Sequence, residues 1–416
     1  MKILYISQYF PPEMGAPSAR ASELARHWAN AGHQVSVLTG FPNHPTGVVP
    51  AEWRSRLRRL TYHEKVGQVD VYRTWLWPLP NRKAHERMRN YASFCVSAGL
   101  RGLTIPTPDV IIGSSPQLLV ALSAWWLAFA QEVPFVFEVR DLWPESLVAV
   151  GAGREDSLLH TALAKIAGFL YQRADRIVVV TPAFKDHLIR HWRIPAEKIA
   201  IVENGVETDL FTLIPAEETQ PLRQNLGIGS KFLVSYIGTM GNAHGLTTLL
   251  DAASTLYSLN PEVHFLLIGE GAEKEQTKAQ SQSRGLTNVQ FLDQQPREKI
   301  PAFISASDAC LVLLKKTDIF KTVIPTKMLE FMSCERPLIL GVDGQARQIV
   351  EQAGAGLVIE PENPDALVRA IQQLAADRQL GTTLGKNGRE YILKSFSRRG
   401  TAEKYIDVLQ AITGKK

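Results

Sequence analysis

Residues 324–330 read Ile-Pro-Thr-Lys-Met-Leu-Glu and lie between two apolar runs of strand length. Pro325 favours the start of a helix, Thr326 can cap it, and the N–H groups of a first helical turn attract anions. Lys327 adds a positive charge, and Glu330 follows on the same helical face, where its carboxylate can accept hydrogen bonds from ribose hydroxyls. The pattern predicts a nucleoside diphosphate site. An ordinary capped helix with a Lys–Glu surface pair is the alternative.

Apolar runs alternate with helical segments through nearly the whole chain, which is typical of parallel sheets covered by helices. In the first half these runs are 3–8, 35–39, 110–114, 135–139, 177–180 and 199–202. In the second half they are 232–237, 263–268, 289–292, 309–314, 337–340 and 357–359. The length of 416 residues suits about two domains. We predict an α/β protein of two facing Rossmann-like domains with a deep cleft between them.

Chain-breaking and polar residues indicate the boundary between these domains. Asn204-Gly205 interrupts the strand pattern, and the polar run 215–221 has the composition of a linker. We assign residues 1–205 to the first domain and 206–396 to the second. A last helix, about 397–416, is expected to return to the first domain.

Glycines follow several of the predicted strands. Gly15 comes soon after the first strand, the loop 238–245 contains Gly238, Gly241 and Gly245, and Gly269 ends the next strand. Ligands of open parallel sheets bind beyond the carboxyl ends of the strands, where glycines let the backbone approach an anion. The GxGxxG spacing is missing from these loops, which disfavours a nicotinamide dehydrogenase.

Composition limits the compartment and the chemistry. The three cysteines form no CxxC pair and have no metal-ligand spacing, so the sequence indicates neither disulfides nor a metal site, and a reducing cytoplasm is expected. The apolar start of the chain lacks a signal-peptide cleavage pattern. The most apolar stretch, 118–130, is too short to span a bilayer.

The segment 53–101 carries most of the excess positive charge, with eleven basic and three acidic side chains. Aromatic rings lie between these cations, an arrangement that suits an anionic membrane surface. The residues chosen as candidate membrane or acceptor contacts are Arg58, Arg59, Trp75 and Trp77. A plain solvated basic face is the alternative, and the absence of a recognised binding module argues against nucleic acid.

Taken together, the motifs resemble those of the GT-B glycosyltransferases of family 4, which are retaining sugar-nucleotide transferases. The matching stretches cover nearly the whole chain: 138–145, 203–206, 238–245, 269–271, 324–330 and 354–357. The finer likeness is to the bacterial O-antigen and capsule branch, which includes N-acetyl-fucosamine transferases. The resemblance implies that the second domain binds the sugar nucleotide and the first domain binds the acceptor.

The resemblance also implies roles for single residues. Glu330 matches the second acidic residue of the family's paired-glutamate motif, which holds the ribose, whereas the first falls on Thr322, with Asp318 or Lys321 as nearby substitutes. The basic residues that many members place after the glycine loop fall on Thr239 or Met240 and on His244, and the histidine of the first domain falls on Arg140. The expected donor-binding residues are Gly15, Gly238, Thr239, Gly241, His244, Gly269, Thr326, Lys327 and Glu330.

Transfer with retention requires stabilisation of negative charge on the departing diphosphate. Lys327, the glycine loop and Gly15 could supply it without a metal or a cofactor. Asp141 and Glu138 are the carboxylates that we expect to position the acceptor hydroxyl or to accept its proton. For Asp141, a salt bridge with Arg140 or a helix cap is the alternative.

The loop 41–47 is expected to face the acceptor through Asn43 and His44. The implied reaction moves a sugar, such as an N-acetylated deoxyhexose, from a UDP-sugar to a saccharide on a polyprenyl diphosphate at the inner membrane. Two other hypotheses remain open at this stage: a sugar-nucleotide epimerase of similar fold, and a non-catalytic sugar-nucleotide-binding protein.

Overall fold

The computed structural model describes residues 1–44, 47–79, 84–149 and 157–414. The chain divides into two compact units. The first unit comprises Met1–Asn204 and the residues from Arg398 onward, and the second comprises Gly205–Ser397.

The first unit contains a sheet of eight strands within the described residues. The strands are β1 (Lys2–Ile6), β2 (Gln34–Gly40), β3 (Thr61–Val66), β4 (Val69–Thr74), β5 (Val110–Ser114), β6 (Phe135–Val139), β7 (Arg176–Val179) and β8 (Ile199–Ile201). Their order is β3-β4-β2-β1-β5-β6-β7-β8, and β3 pairs antiparallel with β4 whereas the other pairs are parallel.

Helices cover this sheet. They are α1 (Ala16–Asn30), α2 (Ala51–Leu57), α3 (Ala84–Gly102), α4 (Leu118–Gln131), α5 (Glu145–Ala149), α6 (Leu158–Arg173) and α7 (Pro182–Trp192). A short 3₁₀ turn at Ala196–Lys198 precedes β8.

The second unit is built on a parallel sheet of six strands in the part of the chain that is described. The strands are β9 (Phe232–Ile237), β10 (Val263–Ile268), β11 (Val289–Leu292), β12 (Ala309–Leu313), β13 (Leu338–Gly341) and β14 (Gly356–Val358), in the order β11-β10-β9-β12-β13-β14. The helices are α8 (Ala216–Asn225), α9 (Leu246–Leu259), α10 (Lys274–Ser283), α11 (Ile300–Ala306), α12 (Thr326–Ser333), α13 (Gln345–Ala353), α14 (Pro364–Ala376) and α15 (Arg378–Ser395).

The predicted α/β class is confirmed, and each predicted apolar run overlaps a strand. The central strands are buried on both faces, as expected for parallel sheets between helix layers. The hairpin β3–β4 was not predicted, because β3 is an edge strand with mostly exposed, polar side chains. The predicted linker 215–221 is wrong, because this run lies mostly in α8, whose first turn carries Glu217 and Glu218.

A last helix, α16 (Arg398–Thr413), packs against α1 inside the first unit. The indole N–H of Trp28 donates a hydrogen bond to the backbone oxygen of Ala402 at 3.1 Å, and its ring meets Tyr405 edge-on with centroids 5.1 Å apart. The buried pair Arg398–Glu23, at 2.8 Å, joins the same two helices. The apolar face of α1 is therefore completed by a segment that follows the entire second unit in the sequence.

In the described ranges, none of the helices combines the length and the apolar character that crossing a membrane requires.

Candidate functional site

Helix α12 begins at Thr326, inside the stretch 324–330 that was predicted to start a helix. Met328, Leu329, Phe331 and Met332 are buried and fix the helix to the core, which leaves the face with Lys327 and Glu330 outside that apolar contact. The predicted cap is wrong: Pro325 occupies the N-cap position, and no side chain caps the helix. Thr326 is instead the first helical residue.

Lys327 holds its ammonium group in an unusual environment. Its Nζ is shielded from solvent and has no hydrogen-bond partner among the described residues. The Nζ lies 4.0 Å from the centre of the Tyr236 ring, which gives a cation–π contact. Burial lowers the pKa of Lys327 to about 7, although the nearby Glu330 carboxylate opposes the shift. A buried amine without a hydrogen-bond acceptor is costly, so an anion that accepts a hydrogen bond from it would be favoured at this position.

The loop after β9 passes directly beside this amine. Gly238 has a φ of 143°, and a β-carbon there would lie 2.8 Å from the Nζ of Lys327. The loop also packs backbone to backbone against the one after β10, since a β-carbon on Gly269 would lie 2.0 Å from the oxygen of Gly238. Glycine is required at both positions because only an unsubstituted α-carbon fits this spacing and these dihedral angles.

His244 ends the 3₁₀ turn Asn242–His244, near the same amine. Burial, together with the charge of Lys327, lowers the pKa of His244 to about 3, so the imidazole is neutral at physiological pH. Its Nδ1 faces the backbone oxygen of Leu313 at 3.4 Å, which favours the Nδ1–H tautomer and leaves Nε2 as an acceptor. His244 occupies the position where many family members carry a cation, but its neutral ring supplies no positive charge there.

The neighbouring positions of the loop differ in exposure. Thr239 is exposed, Gly241 is half-buried, and Met240 is fully buried in the core. In the family a basic residue falls on Thr239 or Met240, and of these two only Thr239 has an exposed side chain.

Glu330 is paired with a residue that the sequence did not indicate. The Nη1 of Arg297 lies 2.8 Å from its Oε1, and the Arg297 guanidinium stacks over the Phe211 ring at 4.8 Å. The partner comes from a separate 3₁₀ turn, Arg297–Lys299, after β11. The only hint in the sequence was that Arg297 follows a predicted strand of the second sheet, where ligand-binding residues are expected.

Asp318 and Lys321, the possible substitutes for the first acidic residue of the paired-glutamate motif, form an ion pair with each other. Lys321 Nζ lies 2.7 Å from Asp318 Oδ1, and the Asp318 side chain is 96% exposed. The Thr322 hydroxyl donates to the backbone oxygen of Ile319 at 2.6 Å. These residues lie on the 3₁₀ turn Asp318–Thr322, shortly before α12.

In the first unit, Glu138 is the centre of a buried polar cluster on β6. Its Oε1 accepts a hydrogen bond from the Nε of Arg20 at 2.9 Å, and its Oε2 accepts from the hydroxyls of Tyr5 at 2.6 Å and Ser114 at 2.5 Å. Burial alone would raise the pKa of Glu138, but Arg20 and Arg140 together with the two hydroxyl donors hold it below the ordinary value. The side chain is 0% exposed, so these contacts support a structural role, and its predicted part in proton transfer stays a prediction.

Arg20 connects this cluster to the end of the first unit. It also donates to the backbone oxygens of Val202 at 3.2 Å and Glu203 at 3.1 Å and to the Oδ1 of Asn204 at 3.0 Å. One buried guanidinium therefore fixes α1, β6 and the segment after β8 in a single arrangement.

Asp141 follows β6 and is half-buried. Burial raises the pKa of Asp141 to about 6, while the neighbouring Arg140 acts in the opposite direction. A carboxyl with a pKa near 6 can exchange a proton close to neutral pH, which is the property expected of an acid–base group.

The loop after β2 is tied to the loop after β1. Glu13 Oε1 accepts hydrogen bonds from the backbone N–H groups of Asn43 and His44, each at 2.9 Å. The Asn43 side chain is buried and bonds to Phe41 and Asn90, whereas the His44 ring packs on Tyr9 with centroids 4.7 Å apart. His44 rather than Asn43 therefore offers its side chain for an external contact. Residues 45 and 46 of this loop lie outside the described residues.

Gly15 is the N-cap of α1, with a φ of 123°. A β-carbon there would have the ring of Pro17 as its nearest neighbour, at 3.8 Å, so the position is open but conformationally restricted.

Part of the basic aromatic segment is used inside the first unit. Trp53 is buried, and Arg56 and Arg73 stack over its ring at 4.7 and 4.4 Å. Arg58 and Arg59 are exposed, Trp75 is half-buried, and Trp77 is 49% exposed. Residues 80–83, which include two of the cations, lie outside the described residues.

Exposed apolar side chains lie on α3, directly after it, and on α4. The two helices pack so closely that a β-carbon on Gly102 would lie 2.2 Å from the Cδ1 of Leu127. The outward side chains, which we call the α3–α4 surface, are Val96, Leu100, Leu103, Trp126 and Phe129. Phe129 is 74% exposed, and α4 contains no charged residue. The apolar character of this helix is visible in the sequence, whereas its exposure is not.

Two groups of predicted residues thus assemble, one in each unit. In the second unit the structure brings together Lys327, His244 and the glycine loop, with Glu330 one helical turn from Lys327. In the first unit Glu138 lies in β6 and Asp141 follows that strand, while Asn43 and His44 belong to the loop after β2. Each group lies where strands of its own sheet end, which is the usual place for a ligand in such folds.

Comparison with known proteins identifies the class as glycosyltransferases of GT-B fold. Residues 218–391 match the family described as glycosyl transferases group 1, and residues 15–205 match the family described as glycosyl transferase 4-like domain. Together the two matches cover most of the chain, and they support a GT-B glycosyltransferase of group 1 and family 4.

The similar proteins are distant in sequence. The putative colanic acid biosynthesis glycosyl transferase WcaI of Escherichia coli K12 is 24% identical, over 98% of this chain and 99% of its own length. The sucrose-phosphate synthase of Thermosynechococcus elongatus has a TM-score of 0.79 with 20% identity, covering 100% of this chain and 99% of that one. Anabaena Alr3699/HepE, solved in complex with UDP and glucose, has a TM-score of 0.73 with 18% identity, covering 99% of this chain and 100% of that one. At these identities the structures establish the shared fold.

Proposed function

We propose that this glycosyltransferase moves a sugar, with retention of configuration and without a metal, from a UDP-sugar to a saccharide on a polyprenyl diphosphate. The sugar in this proposal is an N-acetylated deoxyhexose such as N-acetyl-fucosamine, and the product is part of an O-antigen, capsule or exopolysaccharide. The names of two similar proteins support it: one refers to colanic acid biosynthesis, and the other was solved with UDP and glucose.

The buried, unbonded amine of Lys327 is the observation that carries the proposal. A diphosphate oxygen would supply the missing hydrogen-bond acceptor and the compensating negative charge. Since the charge on that diphosphate grows as the bond to the sugar breaks, an ammonium group held in place beside it stabilises the transition state more than the ground state. The glycine at 238 leaves room for this approach.

Glu330 is the proposed ribose ligand, and Arg297 holds its carboxylate in place. The ion pair at 2.8 Å restricts the rotamer, while a carboxylate has further lone pairs with which to accept hydrogen bonds from ribose hydroxyls. Nε2 of His244 would accept a hydrogen bond from a hydroxyl of the donor. Thr239 and Gly241 complete the proposed donor side.

On the acceptor side, we assign the proton-accepting or positioning role to Asp141 rather than to Glu138. The pKa of Asp141, near 6, lets it exist as a carboxylate at neutral pH, whereas the oxygens of Glu138 already accept the hydrogen bonds of Arg20, Tyr5 and Ser114. His44 is the proposed contact to the acceptor saccharide.

The test of the reaction is a donor screen. UDP-, GDP- and TDP-sugars are incubated with the protein and a membrane extract, and sugar transferred to lipid is measured. Lys327→Ala and Glu330→Ala should abolish UDP binding in calorimetry, whereas Lys316→Ala, which removes a 57% exposed lysine, should not. Absence of binding to any nucleoside diphosphate by the wild type would overturn the proposal.

The proposal includes contact with the inner membrane through the α3–α4 surface and its basic surroundings. Phe129 and Leu100 would enter the headgroup layer, and exposed arginines such as Arg58, Arg59 and Arg89 would meet anionic lipids. A lipid-borne acceptor requires such an approach, and no spanning helix is needed for it.

Vesicle sedimentation tests this contact. The wild type should pellet with phosphatidylglycerol vesicles more than with phosphatidylcholine vesicles, and the double variant Leu100→Ser, Phe129→Ser should remain in the supernatant. Leu259→Ser, a 64% exposed leucine of the second unit, is the matched control. Sedimentation of the double variant at wild-type levels would contradict the contact, as would self-association through this surface.

A further inference from the structure

Arg140 has an unsatisfied guanidinium at the end of β6. Its Nε and Nη1 are shielded from solvent and have no hydrogen-bond partner among the described residues. The residue as a whole is half-buried, so part of the side chain still reaches the surface. Two shielded donor nitrogens on a permanent charge cost free energy unless a ligand accepts from them.

The nearby carboxylates do not satisfy this guanidinium. Glu138 already accepts hydrogen bonds from Arg20, Tyr5 and Ser114. Asp141, the next residue along the chain, affects the charge of Arg140 only through space, since no ion pair between them is found in the described ranges. The pKa of Arg140 is accordingly lowered, by burial first and by the charge of Arg20 second.

The backbone fixes Arg140 at a binding edge of the sheet. Its N–H donates to Ser115 Oγ at 2.7 Å, and the Ser115 N–H donates to the backbone oxygen of Glu138 at 3.0 Å. These bonds join the segments that leave β5 and β6 at their carboxyl ends. Ligands of parallel sheets bind at such ends.

We propose that Arg140 is an oxyanion-binding residue, and that an unused donor of its guanidinium, Nε or Nη1, bonds to a phosphate or carboxylate group carried by a saccharide substrate. Arginine suits this task because its guanidinium keeps its positive charge and holds its donors in one rigid plane. The inference rests on the proposed function only for the identity of the molecule that carries the oxyanion. The inference adds to the proposed function that the saccharide substrate carries an anionic group. A substrate without a negative charge at that position would leave Arg140 unsatisfied.

The experiment uses the full-length protein saturated with UDP, so that the amine of Lys327 is occupied. Inorganic pyrophosphate and glucuronate are titrated separately in a calorimeter. One of them should bind with a stoichiometry of one, and Arg140→Gln should weaken it about tenfold or more. Arg140→Lys, which keeps the charge without the planar guanidinium, should lose a smaller factor.

The matched control is Arg190→Gln, which removes an arginine of the first unit that is 76% exposed, and it should bind like the wild type. Binding of pyrophosphate alone assigns a phosphate ligand, and binding of glucuronate alone assigns a carboxylate. The inference would be overturned if neither pyrophosphate nor glucuronate binds. It would also be overturned if Arg140→Gln, Arg140→Lys and the wild type all bind the titrant equally. If UDP itself does not bind, the donor proposal fails, and the same titrations without UDP still test Arg140.

Discussion

The Nζ of Lys327 lies 2.8 Å from the place that a β-carbon on Gly238 would occupy. Gly238→Ala should therefore displace the amine and also strain a backbone with a φ of 143°. We expect loss of UDP binding in calorimetry while the variant remains folded by circular dichroism.

The control for that substitution is Gly285→Ala. Gly285 has a φ of 64°, but a β-carbon there would meet nothing within 4 Å. It should reduce stability modestly and leave UDP binding unchanged. Equal losses of binding in the two variants would mean that backbone strain, and not the amine, is responsible.

Lys327→Met should make the protein more stable as it abolishes UDP binding. The pKa of Lys327 is about 7 in the folded protein, below its ordinary value of 10.5, so the folded state disfavours the charged form. The resulting cost is fully present below about pH 7 and disappears as the pH rises towards 10.5. The gain in melting temperature should thus be larger at pH 7 than at pH 10, and Lys316→Met should show no such gain. A melting temperature below that of the wild type at pH 7 would contradict the burial argument.

UDP binding should take up protons at about pH 8, where the phosphates of UDP are already fully ionised. The amine of Lys327 is then mostly neutral, with a pKa of about 7, and a bound diphosphate would raise that pKa. Calorimetry in buffers of different ionisation enthalpy measures the uptake. Binding without uptake would place the diphosphate away from Lys327.

Glu138→Gln should destabilise the first unit, by about 3–5 kcal/mol, because it leaves the buried charge of Arg20 without its counter-ion. Urea unfolding measures this change. Asp186→Asn, which alters a 61% exposed carboxylate, should have little effect. Full stability combined with lost transfer activity would instead indicate that Glu138 acts in the reaction.

The fold followed from the sequence because its strands are continuous apolar runs. A strand buried on both faces must be apolar throughout, and such runs are visible without any knowledge of the partner strands. The edge hairpin β3–β4 lacked this signal, since Thr61–Val66 is largely polar and exposed. The helix α8 was hidden for a related reason: its composition is that of a linker, and Pro221 lies inside it.

The sequence predicted which residues form the candidate site better than it predicted their ion pairs and protonation states. Lys327 and Glu330 were identified from a short local pattern, because helix geometry alone places them together. The pairing of Glu330 with Arg297 spans 33 residues of sequence, and such contacts have no local signature. The neutral state of His244 depends on burial and on the amine of Lys327, both of which are properties of the folded chain.

The packing of α16 on α1 affects the order in which the protein can mature on the ribosome. All residues of the second unit, Gly205–Ser397, emerge before Ala402 and Tyr405. Until those two residues are available, Trp28 lacks both its hydrogen-bond acceptor and its aromatic neighbour. The half that begins synthesis first is therefore finished last, and chaperones would encounter its uncovered tryptophan face throughout translation of the other half.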